Sequence, residues 1–212
     1  MIELKNITKS FGNHMIFDEF NCTIEEGEFL GIKGKSGSGK STLLNIIGLL
    51  EKYDSGCIII DGQEINYDNK KQIKKLLKEK IGYLFQNFAL IDDFSVLTNL
   101  SLGIEDKPKK ERMNLIQKVL NELNLQIDMN QKVFRLSGGE QQRIALARII
   151  LQDKSIILAD EPTGNLDEES SEQIFRILKK ISSEKLVVVI SHDSESAEKY
   201  ADRIIELKDG DV

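Results

Sequence analysis

The sequence holds 212 residues, 40% of them hydrophobic and 30% charged, with a formal net charge of −6. That length can bury a substantial core in one large domain or two small ones. The acidic balance argues against a general nucleic-acid binder, although local basic patches remain compatible with it. Cys22 and Cys57 stand apart from any CxxC or Cys/His cluster, so they suggest neither a metal site nor a redox motif. They read as two small buried side chains in a reducing compartment.

The opening segment MIELKNITKSF lacks the apolar stretch of a secretory signal. The longest apolar runs, such as LVVVI at 186–190, fall far short of the ~18 residues a membrane span needs. A soluble protein is expected, with no direct membrane insertion, so that any work at a membrane goes through a partner.

In chain order, β-rich runs at 2–5, 20–24 and 28–33 come first, and the third enters a glycine loop. After the loop, STLLNIIGLL reads as a helix with Leu43, Leu44, Ile46 and Ile47 on its apolar side. A strand follows at 57–61. KKQIKKLLKEK, residues 70–80, sets six lysines around Ile73, Leu76 and Leu77. It reads as an amphipathic helix with a solvated basic face rather than a lipid-facing one.

IGYLF at 81–85 is a strand, and from about 87 to 151 the pattern turns helical, with Leu115, Ile116, Val119, Leu120 and Leu123 on one face. Strand IILAD at 156–160, a helix carrying Ile174, Ile177, Leu178 and Ile181, strand LVVVI and a last strand RIIEL complete the chain. Strands apolar on both faces and separated by helices imply an α/β fold with a covered parallel sheet. We expect a single domain over 1–212, its core at 1–86 and 152–212 and a helical subdomain inserted at about 87–151.

GKSGSGKST, residues 34–42, fits the phosphate-loop pattern G-x-x-x-x-G-K-[ST] through Gly34, Gly39, Lys40 and Ser41. Glycines let successive N–H groups turn inward as a nest for phosphate oxygens, and the following helix adds its positive end. Lys40 supplies charge to the β- and γ-phosphates, and Ser41 can ligate Mg²⁺. In IILADEPT, Asp160 falls at the carboxyl end of a buried strand, where doubly wound sheets bind ligands and a carboxylate can hold Mg²⁺. Glu161, one step on, can point at the γ-phosphate.

A second glycine loop, RLSGGEQQR at 135–143, opens a helix that Ser137 can cap and that Ile144, Ala147 and Leu151 line. Free N–H groups at such a terminus also attract anions. LSGGEQQRIALAR closely resembles the signature motif of the ATP-binding subunits of ABC transporters, and the resemblance runs the whole chain with motifs in the family's order.

The resemblance implies the P-loop NTPase parallel-sheet core with an N-terminal antiparallel β subdomain and a helical insertion. It implies ATP and Mg²⁺ as ligands and ATP hydrolysis as the activity. Two subunits would pack head-to-tail, so that Ser137, Gly138, Gly139 and Glu140 of one close over ATP held by Gly34, Lys35, Ser36, Gly37, Ser38, Gly39, Lys40, Ser41 and Thr42 of the other. Phe11 resembles the aromatic that stacks on adenine, where the family more often has Tyr.

Gln86 resembles the Q-loop glutamine that senses Mg²⁺ and the γ-phosphate. Asn165, Leu166 and Asp167 resemble the D-loop, which touches the other subunit, and His192 resembles the switch histidine at the γ-phosphate. The implied catalytic set is Glu161, His192 and Lys40, and the implied metal set is Ser41, Gln86 and Asp160. His14 has no motif and is expected on the surface.

The implied partners are a second copy and an integral-membrane permease, which would keep the protein cytoplasmic and peripheral on the inner face of the membrane. Non-transport relatives fit less well. Translation-factor types usually carry two cassettes in one chain. Chromosome-maintenance types place a long coiled coil where Lys40 and Leu136 here are 96 residues apart without sustained heptads. GLLEKYDSG and EPTGNLD resemble the lipoprotein, macrolide and antimicrobial-peptide group, and IGYLFQNFALID looks most like the bacteriocin-export branch. The ending at KDGDV suggests no C-terminal regulatory domain.

Overall fold

The computed structural model describes residues 1–164, 166–191 and 194–207. His192 and Asn165, both singled out above, lie outside the described residues. β1 (Ile2–Phe11) and β2 (His14–Ile24) form a hairpin, and β3 (Phe29–Gly34) runs into the phosphate loop and α1 (Lys40–Ile47). β4 (Ser55–Ile60), β5 (Gln63–Glu64) and α2 (Lys70–Glu79) precede β6 (Ile81–Leu84). The helical stretch holds α3 (Val96–Ser101), α4 (Lys109–Glu122), a 3-10 turn (Val133–Arg135) and α5 (Gly138–Gln152). The chain then alternates through β7 (Ile156–Asp160), α6 (Glu168–Ser182), β8 (Leu186–Ile190), α7 (Ser194–Tyr200) and β9 (Arg203–Leu207).

An antiparallel sheet has the order β2-β1-β4-β5, and a parallel sheet has the order β6-β7-β8-β3-β9. Side chains alternate across the parallel sheet as the two-residue period requires. Leu30, Ile32, Ile156, Leu158, Val188 and Ile190 face one core, with α1 and the antiparallel sheet. Phe29, Ile157, Ala159, Val187 and Val189 face the other, with α3 to α6. Both faces are covered, which explains why these strands read as continuous apolar runs.

β1 and β2 extend well beyond the runs at 2–5 and 20–24. In β1 the buried positions are Ile2 and Leu4 and then Ile7 and Lys9, a change of phase. Asn6 (φ 49°) and Glu19 (φ 49°) sit at irregularities in the pairing, and a bulge of this kind interrupts period-2 alternation. Asn21 bridges the irregular stretch, accepting from the Asn6 N–H at 2.9 Å and donating to the Glu19 carbonyl at 2.6 Å. Cys22 and Cys57, expected to be buried, are half-buried free thiols. Both lie on the antiparallel sheet, Cys22 packed at the margin of the core and Cys57 on the face it shares with exposed Lys5. His14 is exposed, as expected.

Three aromatic rings pin the carboxyl-terminal layers together. Phe175 of α6 stacks on Phe29 of β3 at 6.4 Å and on Tyr200 of α7 at 5.9 Å. Nearby, Glu172 accepts from Lys199 at 2.6 Å, from Arg176 at 3.0 Å and from the Tyr200 hydroxyl at 3.1 Å. These contacts, led by Lys199, hold its carboxyl down at about 2. Phe175→Ala would remove a fully buried ring from between two others, at a cost of about 3–5 kcal/mol. Urea unfolding should show a lower midpoint with little change in slope.

Candidate active site

The phosphate loop leaves the carboxyl end of β3 and returns as α1. Gly39 precedes the helix at φ 90°, and a Cβ there would lie 2.5 Å from the Ile16 side chain. A Cβ at Gly34 would lie 2.5 Å from the Leu207 carbonyl and 2.6 Å from the Ser38 hydroxyl. Both positions therefore exclude a side chain on contact alone. Lys35, Ser36, Gly37 and Ser41 are exposed along the rim and Thr42 is half-buried, whereas Ser38 and Lys40 are buried.

The Lys40 ammonium donates to the Gly34 and Lys35 carbonyls, each at 2.8 Å, so the charge is drawn into the loop it serves. The buried Ser38 hydroxyl oxygen has no hydrogen-bond partner. A buried hydroxyl left without a partner in a glycine loop is what a phosphate oxygen could satisfy.

Three strands deliver the remaining groups to the same edge. Leu84, Ala159 and Val189 are level across β6, β7 and β8, and Ile190 is level with both Asp160 and Ile32. One residue further, Glu161 adopts φ 47° and its N–H donates to the Ile190 carbonyl at 3.0 Å. Its carboxylate accepts from the Gln86 side-chain amide at 3.4 Å, across 75 residues of sequence. Asp160 lies near Tyr83, whose hydroxyl donates to Asn45 at 2.7 Å and is raised out of its usual range, first by burial and then by the Asp160 charge. Ser41, Gln86 and Asp160 offer a hydroxyl, an amide and a carboxylate, all hard oxygen donors of the kind Mg²⁺ takes alongside phosphate oxygens.

Phe11, at the end of β1, is 51% exposed, and the Lys9 ammonium lies 4.6 Å from its ring centre. Lys9 is itself buried, paired with Glu51 at 2.5 Å. The ring keeps a free face for a base.

The signature segment opens α5 as a capping box. Ser137 accepts from the Glu140 N–H at 3.3 Å, while its own N–H and hydroxyl donate to the Glu140 carboxylate at 2.9 and 2.8 Å. Those bonds, the hydroxyl's first, hold the Glu140 carboxyl below its usual range. The N–H groups of Gly138 and Gly139 are then left as donors at the helix start. Glu140 thus orients the loop. Asp167, assigned above to the D-loop, caps α6 by accepting from the Ser170 N–H at 2.8 Å. Leu166 lies 3.6 Å from where a Gly139 Cβ would be, which sets the D-loop beside the signature of its own subunit.

Arg148 went unnoticed in the sequence. Its guanidinium, half a helix beyond the signature, donates to the carbonyls of Ala89 at 2.7 Å and Phe88 at 3.2 Å. Both acceptor residues have positive φ, 47° and 62°, so one arginine holds two strained residues, two and three places after Gln86. Only the arginine in RIALAR hinted at it.

The profile described as ABC transporter matches residues 17–164, more than half of the sequence. The chain belongs to the ABC transporter family. Among relatives of this cassette, the "Uncharacterized ABC transporter ATP-binding protein MJ0796" of Methanocaldococcus jannaschii is 43% identical over 224 residues, covering all of this chain and 95% of that one. The "Lipoprotein-releasing system ATP-binding protein LolD" of Aquifex aeolicus is 38% identical, covering all of this chain and 96% of that one. The "Macrolide export ATP-binding/permease protein MacB" of Campylobacter jejuni is 41% identical over all of this chain but only 33% of its own, so the cassette spans about a third of that relative. The solved dimeric structure of MJ0796 superposes with a TM-score of 0.89 at 41% identity, over 99% of this chain and 95% of that one. None of these relatives is named for bacteriocin export.

The capping box makes a pH-dependent prediction. Glu140→Ala should cost about 1 kcal/mol of stability in urea at neutral pH. The Glu140 pKa is lowered by folding, so its contribution is complete above the ordinary carboxylate value and is lost as pH falls through the lowered one. The stability gap between the wild type and the variant should therefore be constant near neutrality and close below about pH 4.

Proposed function

We propose that the protein is the ATP-hydrolysing subunit of an ABC transporter, acting as a pair of cassettes beneath a separate membrane permease and driving export of cargo of the lipoprotein, peptide or macrolide class. The observation that carries the reading is the meeting of Gln86 and Glu161 at 3.4 Å, on the edge from which the phosphate loop also leaves. MJ0796 has been solved as a dimer, and also in a post-hydrolysis state with ADP and Pi, and MacB and LolD carry export and lipoprotein release in their names.

The base stacks on Phe11, and the phosphates lie in the nest that the Ser38 hydroxyl and the N–H groups of 39–41 provide. Lys40 exchanges its two loop carbonyls for phosphate oxygens. Ser41, Asp160 and Gln86 are the residues that would hold Mg²⁺. When bound, Mg²⁺ neutralises charge on the β- and γ-phosphates. Glu161 accepts a hydrogen bond from the attacking water and aims it in line, and His192 is assigned to the γ-phosphate. Ser137, Gly138 and Gly139 of the second copy complete the donor set, so hydrolysis needs closure of the pair.

The stretch around Gln86 carries exposed Phe85, Ile91 and Phe94, and Leu50 is exposed as well. Large apolar side chains in this concentration suit a permanent partner, the permease. Arg148 links this segment to α5, so closure over ATP and movement at the permease face are one displacement.

Glu161→Gln should retain Mg-ATP binding within a fewfold while lowering turnover by at least about 10²-fold, because the replacement cannot polarise water. Phosphate release and nucleotide titration would measure the two effects, and turnover near wild type would remove Glu161 from its role.

A further inference from the structure

The net charge of −6 conceals a strong asymmetry. Residues 70–80 carry six lysines against Glu79, a net +5, which leaves −11 on the rest of the chain. Lys70, Lys71, Lys74, Lys75 and Lys78 are exposed, and among the described residues only Lys75 meets an acidic side chain, Glu79 at 4.0 Å. Lys80, at the end of the helix, is paired with Asp61. We propose that the lysine face of α2 is an electrostatic contact for the anionic headgroups of the membrane under which the protein works.

Three observations favour headgroups over an acidic protein segment. The apolar half of α2, Ile73, Leu76 and Leu77, packs against the protein's own core, so the helix offers a partner charge rather than an apolar face. It can neither insert nor supply the apolar anchor that protein interfaces centre on. The charges are all lysine. Ammonium groups on flexible stems suit a fluid field of phosphates, whereas fixed carboxylates are better met by the planar fork of arginine. Clusters of four to eight basic residues on an amphipathic helix are a recognised form of anionic-lipid contact.

The third observation is position. The Tyr67 hydroxyl, three residues before α2 begins, donates to the Glu51 carbonyl at 3.0 Å and to that of Ile46 at 3.2 Å. Lys52 and Asp68 pair across the same junction at 3.4 Å. The start of α2 is therefore fastened beside exposed Leu50. Tyr83 stacks on exposed Phe85 at 4.2 Å and bonds Asn45 of α1, so Phe85 belongs to the same flank. The lysine row thus borders the apolar surface assigned above to the permease, and the orientation toward the bilayer rests on that reading. A charge contact there would orient each cassette before the permease is engaged and would weaken with salt over a Debye length of about 8–10 Å.

The test is co-sedimentation of the full chain with vesicles of phosphatidylcholine alone or with about 30% phosphatidylglycerol, at low and high salt. Binding is expected only to the anionic vesicles, and should largely vanish at about 0.5 M salt. Replacing Lys70, Lys71, Lys74 and Lys75 with glutamine should weaken it by roughly 10²-fold or more. The same four positions changed to arginine should retain it, as should glutamine at exposed Lys109, Lys110, Lys118 and Lys180, which matches the loss of charge elsewhere.

Basal ATPase activity and the melting curve should be unchanged in every variant. Wild-type protein that ignores the anionic vesicles overturns the proposal and points to an acidic protein segment instead. Equal loss in the two glutamine variants reduces the effect to bulk charge and also overturns it. Vesicle binding needs neither hydrolysis nor permease, so failure of the transporter reading would show in turnover and leave this result standing.

Discussion

The register of four parallel strands is the constraint on which the rest depends. β6, β7, β8 and β3 are paired so that Leu84, Ala159, Val189 and Gly31 lie level. Gln86, Glu161 and the phosphate loop all emerge just beyond that line. A slip of one residue would send Asp160 to the other face and exchange the two cores, since side chains alternate with a period of two. The burial of both faces, with Ile157 and Val187 in one core and Leu158 and Val188 in the other, is what forbids the slip. Packing therefore sets the geometry of the candidate site at long range, and no local motif could do so.

On that frame, the two glycine loops solve the same problem differently. The phosphate loop is a closed ring, with Lys40 turned onto its own carbonyls and the Ser38 hydroxyl unpartnered within. The signature loop is an open terminus, tied back by Glu140 and carried on a helix buried almost all round. A ring can hold a ligand by itself. An open terminus is only half a site, and in the reading proposed here its other half comes from a second molecule.

Much of this was legible because the relevant signals were local. Gly34, Lys40 and Ser41 state their chemistry in eight residues, and the β7 and β8 runs are unbroken. What stayed hidden depended on contacts distant in sequence. The bulges at Asn6 and Glu19 shift the phase of β1 and β2, so alternation ends early even though pairing continues. Phe175 lies one place off the Ile174 and Leu178 stripe and is read as core only once Phe29 and Tyr200 flank it. Arg148 looks like an ordinary helix residue until the carbonyls of Phe88 and Ala89 are brought to it. Cys22 and Cys57 have the composition of core residues, but both are half-buried: Cys22 packs at the margin of the core, and Cys57 lies level with exposed Lys5 on the other face of the antiparallel sheet.

The central claim is that one chain contains two complementary halves of a site that only a pair can assemble. The most direct measurement is the mass of the Glu161→Gln protein in solution by light scattering, with and without Mg-ATP. The account predicts a monomer without nucleotide and a doubling of mass with it, reversed when Lys40 is also replaced by alanine. A protein that binds Mg-ATP yet keeps its monomer mass at every concentration would contradict it.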